Sequence, residues 1–148
     1  MSEELRSLLW TGSSLRVLDQ LRLPFEIEWI ECRSYRDVYS VIKNMNTRGA
    51  PAIGVAAAYG MVLAAREAVT TPQPTQFVLD AGAYLKSARP TAVNLAWAVD
   101  RSLADGAPSL GKNPQAAADE LAAFADRLAQ DDEDRNLALS KYGAELFQ

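Results

Sequence analysis

The chain has 148 residues, of which 49% are hydrophobic and 23% are charged, and its net charge is −4. This size and balance are typical of one folded domain with its own core, and they exclude a disordered chain. The acidic charge favours neither nucleic acid nor an anionic membrane as a partner, so any anion site must be a local feature. The sequence contains no histidine, which excludes His-dependent catalysis and most zinc sites.

The N-terminal part of the chain predicts a small antiparallel sheet of about three short strands. An apolar stretch at residues 8–10 precedes a turn of threonine, glycine and serine, and the apolar residues Leu15, Val17 and Leu18 follow it. Residues 25–31 then alternate between apolar and acidic side chains, which is the period-two pattern of a half-buried strand. The side chains expected to face inward from this strand are Phe25, Ile27 and Trp29.

The single cysteine, Cys32, is expected to lie in a strand, and we interpret it as a packed thiol because no histidine is available to activate it. One cysteine allows no disulfide within the chain, which fits a reducing cytosol. The acidic N-terminus, residues 1–4, lacks the basic and then apolar order of a signal peptide. We therefore expect a cytoplasmic protein.

Helical periodicity begins after Ser34, which can cap a first helix over residues 35–45 with an apolar stripe that reaches Met45. Further helices are expected over residues 50–66, around 77–85, over 91–103 and over 114–128. The acidic run at residues 131–134 is interpreted as a solvated segment, because consecutive acids on a helix point in different directions and make a poor metal site. Beyond it the apolar stripe is expected to resume at Leu139, Tyr142 and Leu146.

The helix over residues 50–66 is the most apolar part of the chain. No side chain between Ala50 and Ala65 is charged, and a helix that is apolar on every face must be buried on every face. Gly54 and Gly60 within it each cost about 0.5–1 kcal/mol relative to alanine, which indicates close packing against neighbouring backbones. The run is too short to span a membrane.

The predicted fold class is therefore α+β and mostly helical. A small N-terminal antiparallel sheet within residues 1–33 is followed by a helical bundle, residues 34–148, around the buried Gly/Ala-rich helix. The whole chain, residues 1–148, is expected to form a single domain.

An arginine stands just before two of the predicted helices. Arg48 and Gly49 precede the helix at 50–66, and Arg89 precedes the helix at 91–103. Unpaired N–H groups and the helix dipole favour anions at such starts, and a guanidinium suits phosphate or carboxylate. If both junctions face one pocket, they can hold a phosphate together. The alternative is that both arginines are independent surface residues.

The segments around these arginines resemble a known family. The stretch from Arg48 to Gly60 is similar to the signature of the methylthioribose-1-phosphate isomerases, and residues 87–101 resemble a second block of that family. Shorter similarities lie at residues 18–24 and 143–146. The uninterrupted arginine–proline block favours these isomerases over related translation initiation exchange-factor subunits and ribose-1,5-bisphosphate isomerases.

The resemblance implies an aldose–ketose isomerase of methionine salvage, which converts 5-methylthioribose 1-phosphate to 5-methylthioribulose 1-phosphate without a metal or nucleotide cofactor. It implies that the phosphorylated sugar is bound by Arg48, Gly49, Ala50 and Arg89. Homodimers are usual in the family. The family's C-terminal Rossmann-like domain carries a catalytic cysteine and an acid, usually aspartate, and is expected to be absent here. No catalytic residue is therefore assigned, and the chain alone is expected to be inactive.

Two other interpretations stay open at this point. The first is a regulatory module that binds a sugar phosphate without turning it over and is related to the translation-factor subunits. The second is a helical domain whose exposed apolar face docks a partner, since large apolar patches tend to mark interfaces.

Overall fold

Three short strands open the chain in the computed structural model, which describes residues 6–147. They are β1 (Leu8–Trp10), β2 (Leu15–Leu18) and β3 (Trp29–Cys32), and they form an antiparallel sheet in the order β1-β2-β3. In the ladder Leu8 lies opposite Val17, which in turn lies opposite Ile30. Residues 1–5 and residue 148 lie outside the described part of the chain. The acidic N-terminus and the two ends of the predicted domain fall on these residues.

The prediction for the third strand is wrong in its first half, because β3 begins only at Trp29. Phe25 is 92% exposed and Ile27 is 60% exposed, so neither faces inward. After β2, the Asp19 carboxylate accepts a hydrogen bond from the Leu21 N–H at 3.1 Å and the chain turns away. The alternating segment therefore has no strand beside it until β3 begins.

Helices make up the rest of the described chain. They are α1 (Tyr35–Lys43), α2 (Ala50–Ala68), α3 (Pro74–Lys86), α4 (Val93–Arg101) with a π-helical turn at Ser102–Gly106, and α5 (Pro114–Glu145). The predicted central helix is confirmed: every residue of α2 from Ile53 to Ala65 is buried, and the other four helices pack against it. The predicted α+β, mostly helical fold class is thus confirmed. No helix among residues 6–147 is long and apolar enough to cross a membrane.

The start of α1 is as predicted, and its end is not. The Ser34 hydroxyl accepts from the Asp37 N–H at 3.2 Å, and the Asp37 carboxylate accepts from the Ser34 N–H at 3.0 Å. This reciprocal cap fixes the first turn. Met45 lies beyond the helix with φ 65° and is exposed, so its predicted place on the inner stripe is wrong. Its N–H instead closes a turn onto the Ile42 carbonyl at 3.2 Å.

The last helix, α5, is much longer than predicted. Its start is capped by Asn113, whose side-chain oxygen accepts from the Ala116 N–H at 3.1 Å. No glycine or proline interrupts residues 115–142, so the alanine-rich helix continues through the acidic run at 131–134. Leu139 and Tyr142 on its final turns, and Leu146 just after its end, are exposed. The resumed apolar stripe is therefore not buried by residues 6–147.

Candidate functional site

The start of α2 is open and uncapped. Gly49 stands at the cap position with φ 97°, a conformation that favours glycine, and nothing lies within 4 Å of where its Cβ would be. The first intrahelical bond runs from the Ile53 N–H to the Gly49 carbonyl at 3.0 Å. The N–H groups of Ala50 and Ala52 therefore have no partner among residues 6–147, and Pro51 has no N–H.

The start of α4 is built in a similar way. Ala92 occupies the cap position without a side-chain hydrogen bond, and the Ala96 N–H is the first to bond back, to the Ala92 carbonyl at 3.3 Å. Just before it, the Ala92 N–H donates to the Arg89 carbonyl at 2.9 Å, which closes a tight turn. Neither α2 nor α4 carries an acidic residue in its first turn, so the positive ends of both helix dipoles remain uncompensated.

The start of α4 packs against the second turn of α2. A Cβ at Gly54, the fifth residue of α2, would lie 3.2 Å from the Asn94 carbonyl oxygen and 3.6 Å from the Ala98 Cβ. Asn94 is the second residue of α4, so the start of α4 lies about one helical turn, roughly 6 Å, along α2. The close packing predicted from Gly54 is confirmed. By contrast α3, which is also uncapped, begins at Pro74 beside Ala68, at the far end of α2.

The two predicted arginines precede these two helices in the chain. Arg48 is exposed and Arg89 is half-buried. Neither forms a hydrogen bond, an ion pair or a ring contact with residues 6–147, whereas Arg22, Arg36 and Arg101 all hold ion pairs with carboxylates. The exposed Arg127 and Arg135 on α5 are likewise unpaired among these residues. What distinguishes Arg48 and Arg89 is therefore that they precede, along the chain, two helices whose first N–H groups have no partner among residues 6–147.

Cys32 takes no role in this arrangement. It is fully buried in β3, and burial, followed by the nearby Asp37 charge, raises the pKa of its thiol to about 12. The packed thiol predicted from the sequence is confirmed. No cluster of three or more potential metal-binding side chains occurs among the described residues.

One polar network could not be found from the sequence. The Tyr59 hydroxyl donates to the Asp126 carboxylate at 2.8 Å, and the Tyr59 ring stacks on Trp10 with centroids 4.7 Å apart. Burial, and then the bond to Asp126, raise the pKa of Tyr59. The three residues come from β1, α2 and α5, and only the fold brings such distant segments together.

The family follows from the sequence match. Residues 46–148 match the model of the Initiation factor 2 subunit family, and the chain belongs to this family.

Two relatives with similar sequences are both named methylthioribose-1-phosphate isomerase. The chain is 45% identical over 151 residues to a methylthioribose-1-phosphate isomerase of Alkalilimnicola ehrlichii, with 99% of this chain and 42% of that protein covered. A Thermotoga neapolitana protein of the same name is 40% identical, with 100% and 42% covered. The chain therefore spans less than half the length of these relatives.

Two solved structures share the fold. The translation initiation factor eIF-2B subunit delta from A. fulgidus has a TM-score of 0.86 and 37% identity, with 97% of this chain and 42% of that chain covered. The 5-methylthioribose 1-phosphate isomerase from Pyrococcus horikoshii OT3 has a TM-score of 0.88 and 31% identity, with 97% and 41% covered.

Proposed function

We propose that this chain is the substrate-binding domain of an aldose–ketose isomerase similar to methylthioribose-1-phosphate isomerase. Its role is to hold the phosphate of 5-methylthioribose 1-phosphate at the starts of α2 and α4. The observation that carries the proposal is the packing of the start of α4, at Asn94, on the second turn of α2, at Gly54. Both helices begin without a side-chain cap, and each is preceded by an arginine without a partner among residues 6–147.

The chemistry of the site suits a phosphate group. A phosphate monoester carries about −1.5 to −2 charges at neutral pH and has three strong acceptor oxygens. The free N–H groups of Ala50 and Ala52, and those in the first turn of α4, can donate to these oxygens. Arg48 and Arg89 add fork-shaped cations that match a phosphate in geometry. Gly49 leaves the approach to the backbone open.

Turnover needs more than this clamp. Isomerisation requires an acid or base within hydrogen-bond reach of the proton to be moved. Cys32 cannot serve, since it is buried and its pKa is raised. We therefore propose that the chain binds ligand without turning it over, and that catalytic residues lie on a further domain. A role in methionine salvage, a cytoplasmic location and a homodimer belong to the same proposal.

Calorimetric titration tests the proposed binding. The chain is titrated with 5-methylthioribose 1-phosphate, with methylthioribose as the blank, and binding should require the phosphate. Arg48→Gln and Arg89→Gln should each weaken binding about tenfold or more, because a hydrogen bond to a charged group contributes about 1.5–3 kcal/mol. Arg135→Gln removes an equally unpaired arginine from α5 and should leave affinity unchanged. Equal binding of methylthioribose, or turnover by the purified chain, would contradict the proposal.

A second candidate function is a regulatory sugar-phosphate module related to the translation-factor subunits. The 37% identity to the A. fulgidus structure favours it. A chimera in which the second half of the A. ehrlichii relative follows this chain separates the two functions. Turnover favours the isomerase, and ligand binding without turnover favours the regulatory module.

A further inference from the structure

A groove of about 670 Å³ runs between β1, α2 and α5, on a different face of α2 from the one that packs on α4. Its apolar floor is formed by Ala52, Val55 and the Tyr59 ring, and one wall is formed by α5 between Asp126 and Ser140. The opposite wall is residues 7–10. All three residues of β1, together with the preceding Ser7, line the groove. Since side chains alternate between the two faces of a strand, a groove lined by consecutive residues follows the free edge of β1.

The free edge of β1 carries main-chain N–H and C=O groups that are not paired within residues 6–147. The Leu18 N–H donates to the Ser7 carbonyl at 2.9 Å, and the Thr11 N–H donates to the Ser14 carbonyl at 3.0 Å. In an antiparallel ladder only every second residue hydrogen-bonds to the neighbouring strand. Between the bonds at Ser7 and Thr11 that residue is Leu9, which bonds to Arg16 opposite it. The N–H and C=O groups of Leu8 and Trp10 therefore point away from β2, and no hydrogen bond from residues 6–147 reaches them.

The wall of the groove formed by α5 is acidic. Three carboxylates line it, those of Asp126, Asp132 and Glu133, against the single guanidinium of Arg6, so the lining carries a net charge of −2. Glu133 pairs with Arg6 at 3.0 Å, and Asp126 accepts from Tyr59. Asp132 is half-buried and has no hydrogen bond or ion pair with residues 6–147.

We propose that this groove binds an extended, basic segment of a partner protein, which adds to β1 as a fourth strand. Main-chain bonds to Leu8 and Trp10 hold the segment in register, as in other cases of strand addition. Because side chains alternate along a strand, one set lies over the apolar floor at Val55, and the other set, which carries the positive charges, lies towards Asp132 and Glu133. An unpaired, exposed edge strand is a ready template for such pairing.

The test uses the full chain and the synthetic peptide acetyl-Lys-Val-Lys-Val-Lys-amide, followed by calorimetry and amide NMR. The peptide should bind, and amide exchange of Leu8 and Trp10 should slow, whereas the Leu9 amide is already paired and should change little. A peptide methylated at the backbone nitrogens that would pair with β1 keeps its charge but loses the bonds, and should bind about tenfold more weakly. Equal binding of the methylated peptide, or unchanged exchange at Leu8 and Trp10, would overturn strand addition.

Matched variants test the charge complementarity. Asp132→Asn should weaken peptide binding several-fold, because it removes the carboxylate that lacks a partner among the described residues. Asp131→Asn makes the same charge change on an exposed neighbouring residue that does not line the groove, and should have little effect. A Glu-Val-Glu-Val-Glu peptide should not bind. Equal weakening by both variants, or binding of the acidic peptide, would contradict a basic partner.

Discussion

The contact between α2 and α4 predicts an unusual outcome for Gly54→Ala. In a helix this change ordinarily stabilises by about 0.5–1 kcal/mol. Here the new Cβ would lie 3.2 Å from the Asn94 carbonyl oxygen, closer than ordinary van der Waals contact. Overpacking of this kind costs about 1–3 kcal/mol, so the net effect should be a fall in the free energy of unfolding of up to about 2.5 kcal/mol. The start of α4 must also shift, so affinity for the phosphate ligand should fall.

Denaturant unfolding with a matched control measures this effect. Gly143 lies within α5 with nothing within 4 Å of a Cβ, so Gly143→Ala should stabilise by up to about 1 kcal/mol and leave ligand affinity unchanged. The denaturant m-value should stay the same in both variants, since neither changes the surface exposed on unfolding. If Gly54→Ala stabilised the protein as much as Gly143→Ala, the close contact between α2 and α4 would be refuted.

Three further predictions concern single side chains. The Thr47 hydroxyl is buried without a partner among residues 6–147, so Thr47→Val should raise the free energy of unfolding by about 1 kcal/mol in denaturant melts, and a decrease would contradict it. Cys32, with its pKa raised to about 12, should resist a thiol reagent at mildly alkaline pH until the protein is unfolded. Hydrogen bonds from Ser109 lower the pKa of Glu120 below its ordinary 4.5. That stabilisation is present above pH 4.5 and is lost as the pH falls through the folded-state pKa, so Glu120→Gln should make acid unfolding less steep with pH.

The presence and the start positions of most helices in this fold can be predicted from local sequence. A run that is apolar on every face can only be a buried helix, and Ser34 and Asn113 are side chains that cap helix starts wherever they occur in this geometry. The prediction of a strand at Phe25 and Ile27 is wrong because alternation along one segment does not specify whether another strand lies alongside it. The predicted end of α5 at residue 128 is wrong because an acidic run can be solvated without ending a helix.

The candidate site was only half predictable. The sequence places Arg48 and Arg89 next to helix starts, because the glycine and proline beside them mark those boundaries. That the start of α4 packs on the second turn of α2 depends on how the two helices cross at Gly54, which no local pattern specifies. The Tyr59–Asp126 hydrogen bond cannot be predicted from the sequence for the same reason, since it joins residues 67 positions apart.

Amide NMR during a titration with 5-methylthioribose 1-phosphate examines most directly whether the two helix starts hold one phosphate. The amide signals of Ala50, Ala52 and Val93 should shift together along one saturation curve, while the Ala116 amide, already bonded to Asn113, should stay still. Signals that respond on only one of the two helices, or that saturate with different dissociation constants, would contradict a shared phosphate site.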